Sequence, residues 1–329
     1  MEHRQVVLFC SALLYGCIVV GCGASDTTPQ GANGSAGASG SAAASAGNAG
    51  LGASQTSDSV QWPVPNSPDL GLPNPQSYDA TSTPGLVHDL VTGLDWLQEP
   101  GLELYSRADA ITRCEELSFA GFDDWRVPEF IELVSLFDVV PNDADPRNPL
   151  YISDVFKAEG RFWAASAVNA SGLGRLLDFT ADGCSSSTPC SLGVAAKAEE
   201  ALGGAFCVRT SRTPATGARY ETKGGVVTDL RTGLVWLNVP VSVQTIAYAD
   251  ALSECEALGS GARLPSITEL LSILVPVLDK QAFPNWPATA FAWSSSTIPA
   301  RPEAFWTGAI SGATQAADAT SHNRVQCVR

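Results

Sequence analysis

One stretch of this chain occurs twice. Asp89-Leu90-Val91-Thr92-Gly93-Leu94-Asp95-Trp96-Leu97 returns 140 positions later as Asp229-Leu230-Arg231-Thr232-Gly233-Leu234-Val235-Trp236-Leu237. β-Branched residues precede each copy (Val87, and Val226-Val227), so each reads as strand, turn, strand. The carboxylate of Asp89 or Asp229 is placed to accept hydrogen bonds from backbone N–H groups two or three residues on, and Gly93 or Gly233 supplies the positive φ that closes the turn. In the outgoing strands Leu94 and Trp96, like Leu234 and Trp236, alternate onto one face. A chain of 329 residues has room for two domains of about 100–200 residues each. The duplication says that they are alike, and it divides the folded part into 85–212 and 213–329.

What precedes the first copy is of another kind. His3 and Arg4 make a weakly basic start, Val6 to Val20 is apolar, and Val19-Val20-Gly21-Cys22 follows. The apolar run is shorter than the ~20 residues a spanning helix needs, and residues 1–21 read as a lipoprotein signal peptide with Cys22 as the lipid-bearing first residue. The alternative is an ordinary secretory signal with an incidental cysteine. Residues 22–57 are almost entirely Gly, Ala, Ser, Asn and Thr, too poor in apolar groups to offset the entropy of ordering. Such a coil of about 35 residues reaches roughly 30–35 Å, a tether that holds a folded part off a membrane. Gly23, rather than Asp, follows Cys22 and, for a Gram-negative host, points to the outer membrane or cell surface. Residues 58–84, with Pro63, Pro65, Pro68, Pro73 and Pro75, are an extended lead-in.

The formal charge is −15, without a Lys/Arg block, which argues against nucleic acid as a partner. Of nine cysteines, Cys10 and Cys17 leave with the signal and Cys22 takes the lipid. Six remain in an exported chain, which implies disulfides in one of 15 pairings. The repeat narrows the choice. Each copy has an amphipathic segment carrying a cysteine: Tyr248, Ala251, Cys255 and Leu258 at helical spacing, against Arg107, Ala110, Cys114 and Leu117. Each also ends on a strand cysteine, in Phe206-Cys207-Val208-Arg209 and Gln326-Cys327-Val328-Arg329. Cys114 is therefore paired with Cys207 and Cys255 with Cys327, which leaves Cys184 and Cys190 for each other inside a Ser/Gly insertion.

Between those cysteines come Trp125-Arg126-Val127-Pro128 and Ala262-Arg263-Leu264-Pro265, extended before proline. A second helix follows each. Ser266 and Glu269 make a capping box ahead of Ile267, Leu270, Leu271 and Leu274, and Phe130, Leu133, Val134 and Phe137 repeat the spacing behind a weaker start at Glu129. Arg126 and Glu132, like Arg263 and Glu269, stand six apart across this junction and read as clamps of the loop onto the helix start. The aromatic segments that remain are strands of an antiparallel sheet.

Together, Asp-x-x-Thr-Gly-Leu-x-Trp, Ala-x-x-x-Cys-x-x-Leu, Arg-[Leu/Val]-Pro-x-x-x-Glu-Leu, Trp-Ser-Ser and a terminal Cys-Val-Arg resemble the bacterial domain formerly called DUF1566, the C-terminal domain of the Legionella collagen-like adhesin (Lcl). Two tandem copies cover about 85–329. Repeat two has Gly261-Ala262 where the family has tryptophan, and repeat one has Ala164-Ala165-Ser166 where Ser-Ser is usual. The resemblance implies surface attachment and glycan binding. The order of elements and the helix-to-last-strand disulfide are similar to the C-type-lectin-like fold. The expected class is α+β: two tandem C-type-lectin-like domains, each with two helices and a small antiparallel sheet, disulfide-stapled.

Catalysis has little to stand on. The mature chain holds two histidines, His88 and His322, neither in a recognisable triad motif, and metal-ligand spacings are absent. No catalytic residue, metal or cofactor is assigned. A redox role for Cys184 and Cys190 gives way to a disulfide pinning a Ser-rich loop. Trp96, Trp236, Trp163 and Trp293 lie within strand patterns and read as core. Trp125, Trp286 and Trp306 lie in or beside loops and are the expected exposed aromatics, suited to stacking on sugar rings. The expected protein is a lipid-anchored surface binder of an extracellular glycan or surface protein, with a ligand-free structural envelope protein as the alternative. A strongly acidic surface should repel sulfated glycans.

Overall fold

The opening hairpin of each repeat is made by side-chain chemistry local to its turn. Asp89 Oδ1 accepts from Val91 N (2.9 Å) and Thr92 N (3.1 Å), Thr92 Oγ1 from Leu94 N (3.2 Å), and Gly93 sits at φ 72°. Asp229 repeats this with Arg231 N (3.0 Å) and Thr232 N (3.4 Å), Thr232 with Leu234 N (3.3 Å), and Gly233 lies at φ 77°. A β-carbon at either glycine would be forced into the left-handed region. The computed structural model describes residues 62–139, 151–167, 173–179, 195–197, 201–211, 217–237, 245–274, 282–284, 290–298, 301–309 and 314–329. The signal, the tether, Cys184, Cys190 and Trp286 lie outside the described residues.

Among the described residues each repeat runs through the same nine elements. The first has β1 (Tyr78–Asp79), β2 (Leu86–Asp89), β3 (Leu94–Leu97), α1 (Arg107–Glu115), α2 (Phe130–Ser135), β4 (Arg161–Ala167), β5 (Gly174–Asp178), β6 (Ala195–Lys197) and β7 (Val208–Thr210). The second has β8 (Tyr220–Lys223), β9 (Val226–Asp229), β10 (Val235–Leu237), α3 (Tyr248–Ala257), α4 (Ile267–Leu274), β11 (Ala292–Ile298), β12 (Arg301–Gly308), β13 (Thr314–Asp318) and β14 (Cys327–Val328). Two antiparallel sheets form per repeat, ordered β1-β2-β3-β7 with β4-β5-β6, and β8-β9-β10-β14 with β11-β12-β13. The class is α+β with small antiparallel sheets.

The last strand of each repeat returns to the first hairpin. Trp96 faces Val208 across β3 and β7, and Trp236 faces Val328 across β10 and β14. On the other side, the backbones of Arg126 and Val208 exchange both hydrogen bonds (2.9 Å each), as do Arg263 and Val328 (3.0 and 2.9 Å). The terminal strand is thus held on both edges and brought against the first helix. Disulfides join Cys114 to Cys207 and Cys255 to Cys327, with Cα atoms 5.4 and 5.5 Å apart, inside the usual range for the bond. Around each lies a small apolar cluster, Trp125 and Trp163 with the first and Trp293 with the second.

The larger core belongs to both repeats at once. Helix α2 lies against α4. Phe137 and Tyr151 of repeat one meet Trp306 of repeat two edge to face, at 6.4 and 6.2 Å between ring centres. The lead-in joins them: Trp62 and Val64 are buried in this core, Pro68–Leu70 makes a 3₁₀ turn, and Asn66 Nδ2 donates to Glu269 Oε1 (3.4 Å) in the second repeat. It is therefore part of the packed structure as well as a lead to it. Among the described residues no helix is long and apolar enough to cross a membrane.

Candidate functional site

Two features recur in both repeats and hold the fold's frame. Arg126 meets Glu132 in a two-pronged pair (both 2.6 Å), and Arg263 meets Glu269 likewise (both 2.7 Å). Each glutamate also takes the backbone N–H three residues earlier, Glu129 N at 2.8 Å and Ser266 N at 2.9 Å. Ser266 Oγ accepts from Glu269 N (3.0 Å), completing the box. One carboxylate thus ties the loop that grips the last strand to the start of the second helix, where negative charge is favoured.

A third feature is found in repeat one. On one face of its four-stranded sheet, Leu86, Leu97 and Cys207 are covered by α1, and beyond them the same face becomes polar. Register places Asp79 beside His88, His88 beside Asp95, and Asp95 beside Arg209, one row across all four strands. His88 Nδ1 lies 2.6 Å from Asp95 Oδ1, and Asp95 Oδ2 accepts from Arg209 Nη1. The same guanidinium binds Asp124 through Nε (2.6 Å) and Nη2 (3.2 Å) and stacks over the Phe122 ring at 3.7 Å. Asp79 is tied locally to Thr81 and Ser82.

Acidic and basic side chains alternate along this row, and its exposure is graded. Arg209 is 9% exposed at its side chain, Asp95 16%, His88 44% and Asp124 50%. The hydrogen bond from Arg209 holds the Asp124 carboxyl below the ordinary carboxylate range, and that from Ser82 does the same for Asp79. A buried arginine thereby fixes two carboxylates at the surface, one of which orients a half-exposed imidazole. Such an array presents donors and acceptors in fixed positions, as hydroxyl-rich ligands require. Among the described residues no serine, threonine or cysteine side chain bonds to His88.

The sequence profile of the Lcl C-terminal domain matches residues 85–192 and again 225–329. The chain belongs to the Lcl C-terminal domain family. No curated protein matches it. The two Lcl domains are not equivalent at this row: in the second, the same positions hold Glu221, Thr228, Val235 and Arg329, with Gly261 where the first has Asp124.

Of the three tryptophans expected to be exposed, Trp125 and Trp306 are buried, at 2% and 0% exposure. Trp125 precedes the residue that bridges to the last strand, so it turns onto the disulfide of the first Lcl domain, and its Nε1 donates to Phe119 O (3.3 Å). Trp306 is on the central strand of its sheet and faces the first Lcl domain. Neither offers a face to a sugar. The row was missed because its members are scattered in sequence. The signal was there: at aligned positions the hairpins differ by His88 against Thr228 and Asp95 against Val235.

Proposed function

We propose that the chain is an exported protein, carried on a lipidated Cys22, whose Lcl domains act together as a C-type-lectin-like binding unit for an extracellular glycan, without catalysis. Membership of the Lcl family supports the surface role, and the meeting of both ends of each repeat in one disulfide-stapled sheet supports the lectin-like comparison. The observation that carries the reading is the row His88, Asp95, Arg209 and Asp124 with Phe122, present in the first Lcl domain and kept in the second only at its arginine, Arg329. One copy is specialised, as expected if it binds while its partner supports it. A net charge of −15 favours neutral or basic sugars over sulfated ones.

The test is a glycan array probed with the full chain and with His88→Ala and Asp124→Ala, both partly exposed and so compatible with folding. Capture by the wild type that both variants lose supports the reading, and capture that survives both removes it. A second reading, a structural envelope protein, is favoured by the way these groups satisfy one another: both oxygens of Asp95 and of Asp124 are already engaged. Absence of any captured glycan or surface protein would favour it.

A further inference from the structure

The two hairpin aspartates are not matched in their surroundings. Asp229 is fully buried, and its Oδ2 accepts from Arg219 Nε (3.0 Å) and Nη2 (2.6 Å). The same Nη2 reaches Ser272 O (2.9 Å), near the end of α4, so one guanidinium neutralises the carboxylate and caps the helix. In repeat one Ser77 stands where Arg219 does: Ser77 O accepts from Leu90 N (2.9 Å) and Arg219 O from Leu230 N (2.8 Å). The helix-capping task has passed to the preceding residue, with Gln76 Nε2 donating to Ser135 O (2.9 Å) and Phe137 O (3.1 Å). The charge has not been replaced.

Three buried oxygens are left without a hydrogen-bond partner as a result: Asp89 Oδ2, Gln76 Oε1 and Tyr78 Oη. Asp89 is 1% exposed and Gln76 7%. Tyr78 is the cross-strand neighbour of Asp89, and Gln76 is two residues before Tyr78 on an extended segment, so the three share the inner face of the sheet. Two of these oxygens are acceptors only, and the third is a hydroxyl. An orphaned buried carboxylate oxygen is costly, and an oxygen-only set with surplus acceptors and one negative charge is what a hard cation requires.

We propose that this inner face of repeat one is a cation site, in which a monovalent alkali ion takes the place that the Arg219 guanidinium fills in repeat two. Relative to repeat two the site lacks one positive charge, that of the guanidinium, so a monovalent ion restores the match, and Asp138 adds a further negative field at Tyr78. Burial pushes the Asp89 carboxyl above the ordinary carboxylate range and the Tyr78 hydroxyl well above its own, as a pocket short of positive charge would. The site is separate from the polar row, which lies on the opposite face of the same sheet.

The experiment compares thermal unfolding of the full chain at neutral pH and constant ionic strength in sodium, potassium and choline chloride. With the ion at tenfold its dissociation constant, melting should rise by about 3–5 °C over choline. The double substitution Gln76→Ala with Ser77→Arg rebuilds the Ala218-Arg219 pair of repeat two, and it should melt alike in all three salts. Equal melting of the wild type in all three salts would mean that Asp89 carries a proton instead, and would overturn the proposal. So would a salt difference that persists in the double variant, or a response to millimolar calcium with none to sodium or potassium. Should the variant fail to fold, crystals grown in rubidium chloride decide the matter: an anomalous peak beside Asp89 Oδ2 is expected, and an empty map there refutes the site.

Discussion

Trp306→Ala tests whether the repeats share one core. The indole is fully buried and touches Phe137 and Tyr151 of the other repeat. A tryptophan side chain removes roughly 150–250 Å² from water, worth about 4–6 kcal/mol at ~25 cal/mol/Å². Against this, its Nε1 has no hydrogen-bond partner, so truncation also relieves an unsatisfied donor worth about 1–3 kcal/mol. Taking the midpoints, the net loss is about 3 kcal/mol, at the low end of the usual span for this truncation. At ~2–4 °C per kcal/mol for a unit of this size, melting should fall by roughly 6–12 °C. Trp306→Phe keeps most of the ring and deletes the orphan donor, so it should stay within about 1.5 kcal/mol of the wild type. Urea titrations followed by tryptophan fluorescence and near-ultraviolet circular dichroism measure both. The two probes should move together in a single transition, because the lost ring supports both repeats. Two separated transitions, with one at the wild-type midpoint, would refute the shared core.

Four further outcomes follow from named contacts. Asp229→Asn takes the Asp229 carboxylate away from the Arg219 guanidinium and should cost about 3–5 kcal/mol, whereas Asp89→Asn, whose second oxygen has no hydrogen-bond partner in the chain, should cost under about 1 kcal/mol by the same urea titration in choline chloride. The Asp89 carboxyl is raised in the folded state, so the folded chain holds its proton more tightly and this residue's contribution to stability falls as pH rises from the ordinary to the raised value. Asp89→Asn should therefore look least harmful near pH 7 and most harmful near pH 3 in melting scans run in choline chloride, where no alkali ion is bound. Cys255→Ser with Cys327→Ser opens a 72-residue loop and should cost up to about 4.5 kcal/mol, read as a lower urea midpoint. Cys22→Ser should release the expressed chain from the membrane fraction and abolish the lipid mass on its N-terminal peptide, and retention of both would remove the anchor from the account.

Much of the frame was legible because its causes are local. The Asp-x-x-Thr-Gly turn is made by side chains within five residues of one another, and the helices by spacing. Two of the disulfides, Cys114–Cys207 and Cys255–Cys327, followed from asking where one repeat's cysteines have counterparts in the other, and the structure pairs them so, while Cys184 and Cys190 lie outside the described residues. What failed depended on partners distant in the chain. Trp306 and Phe305 alternate on one strand, and pattern alone gives both an aromatic face. Phe305 stacks on Tyr248 within its own repeat, while Trp306 meets the other repeat, which periodicity cannot announce. Trp125 lies in a loop by pattern, and the backbone bridge at Arg126 beside it turns it inward. His88 and Asp95 are seven residues apart, and Arg209 is 114 beyond Asp95, so the row exists only once β7 is known to lie beside β3.

The account's central claim is that one of two similar Lcl domains does the binding, through the polar row on its sheet. Titration calorimetry with the best glycan from the array, using His88→Ala and its counterpart Thr228→Ala, tests it most directly. Affinity should fall at least about tenfold, or ~1.4 kcal/mol, for His88→Ala and stay at the wild-type value for Thr228→Ala. Equal affinities for both variants and the wild type, or an equal loss in both, would contradict it.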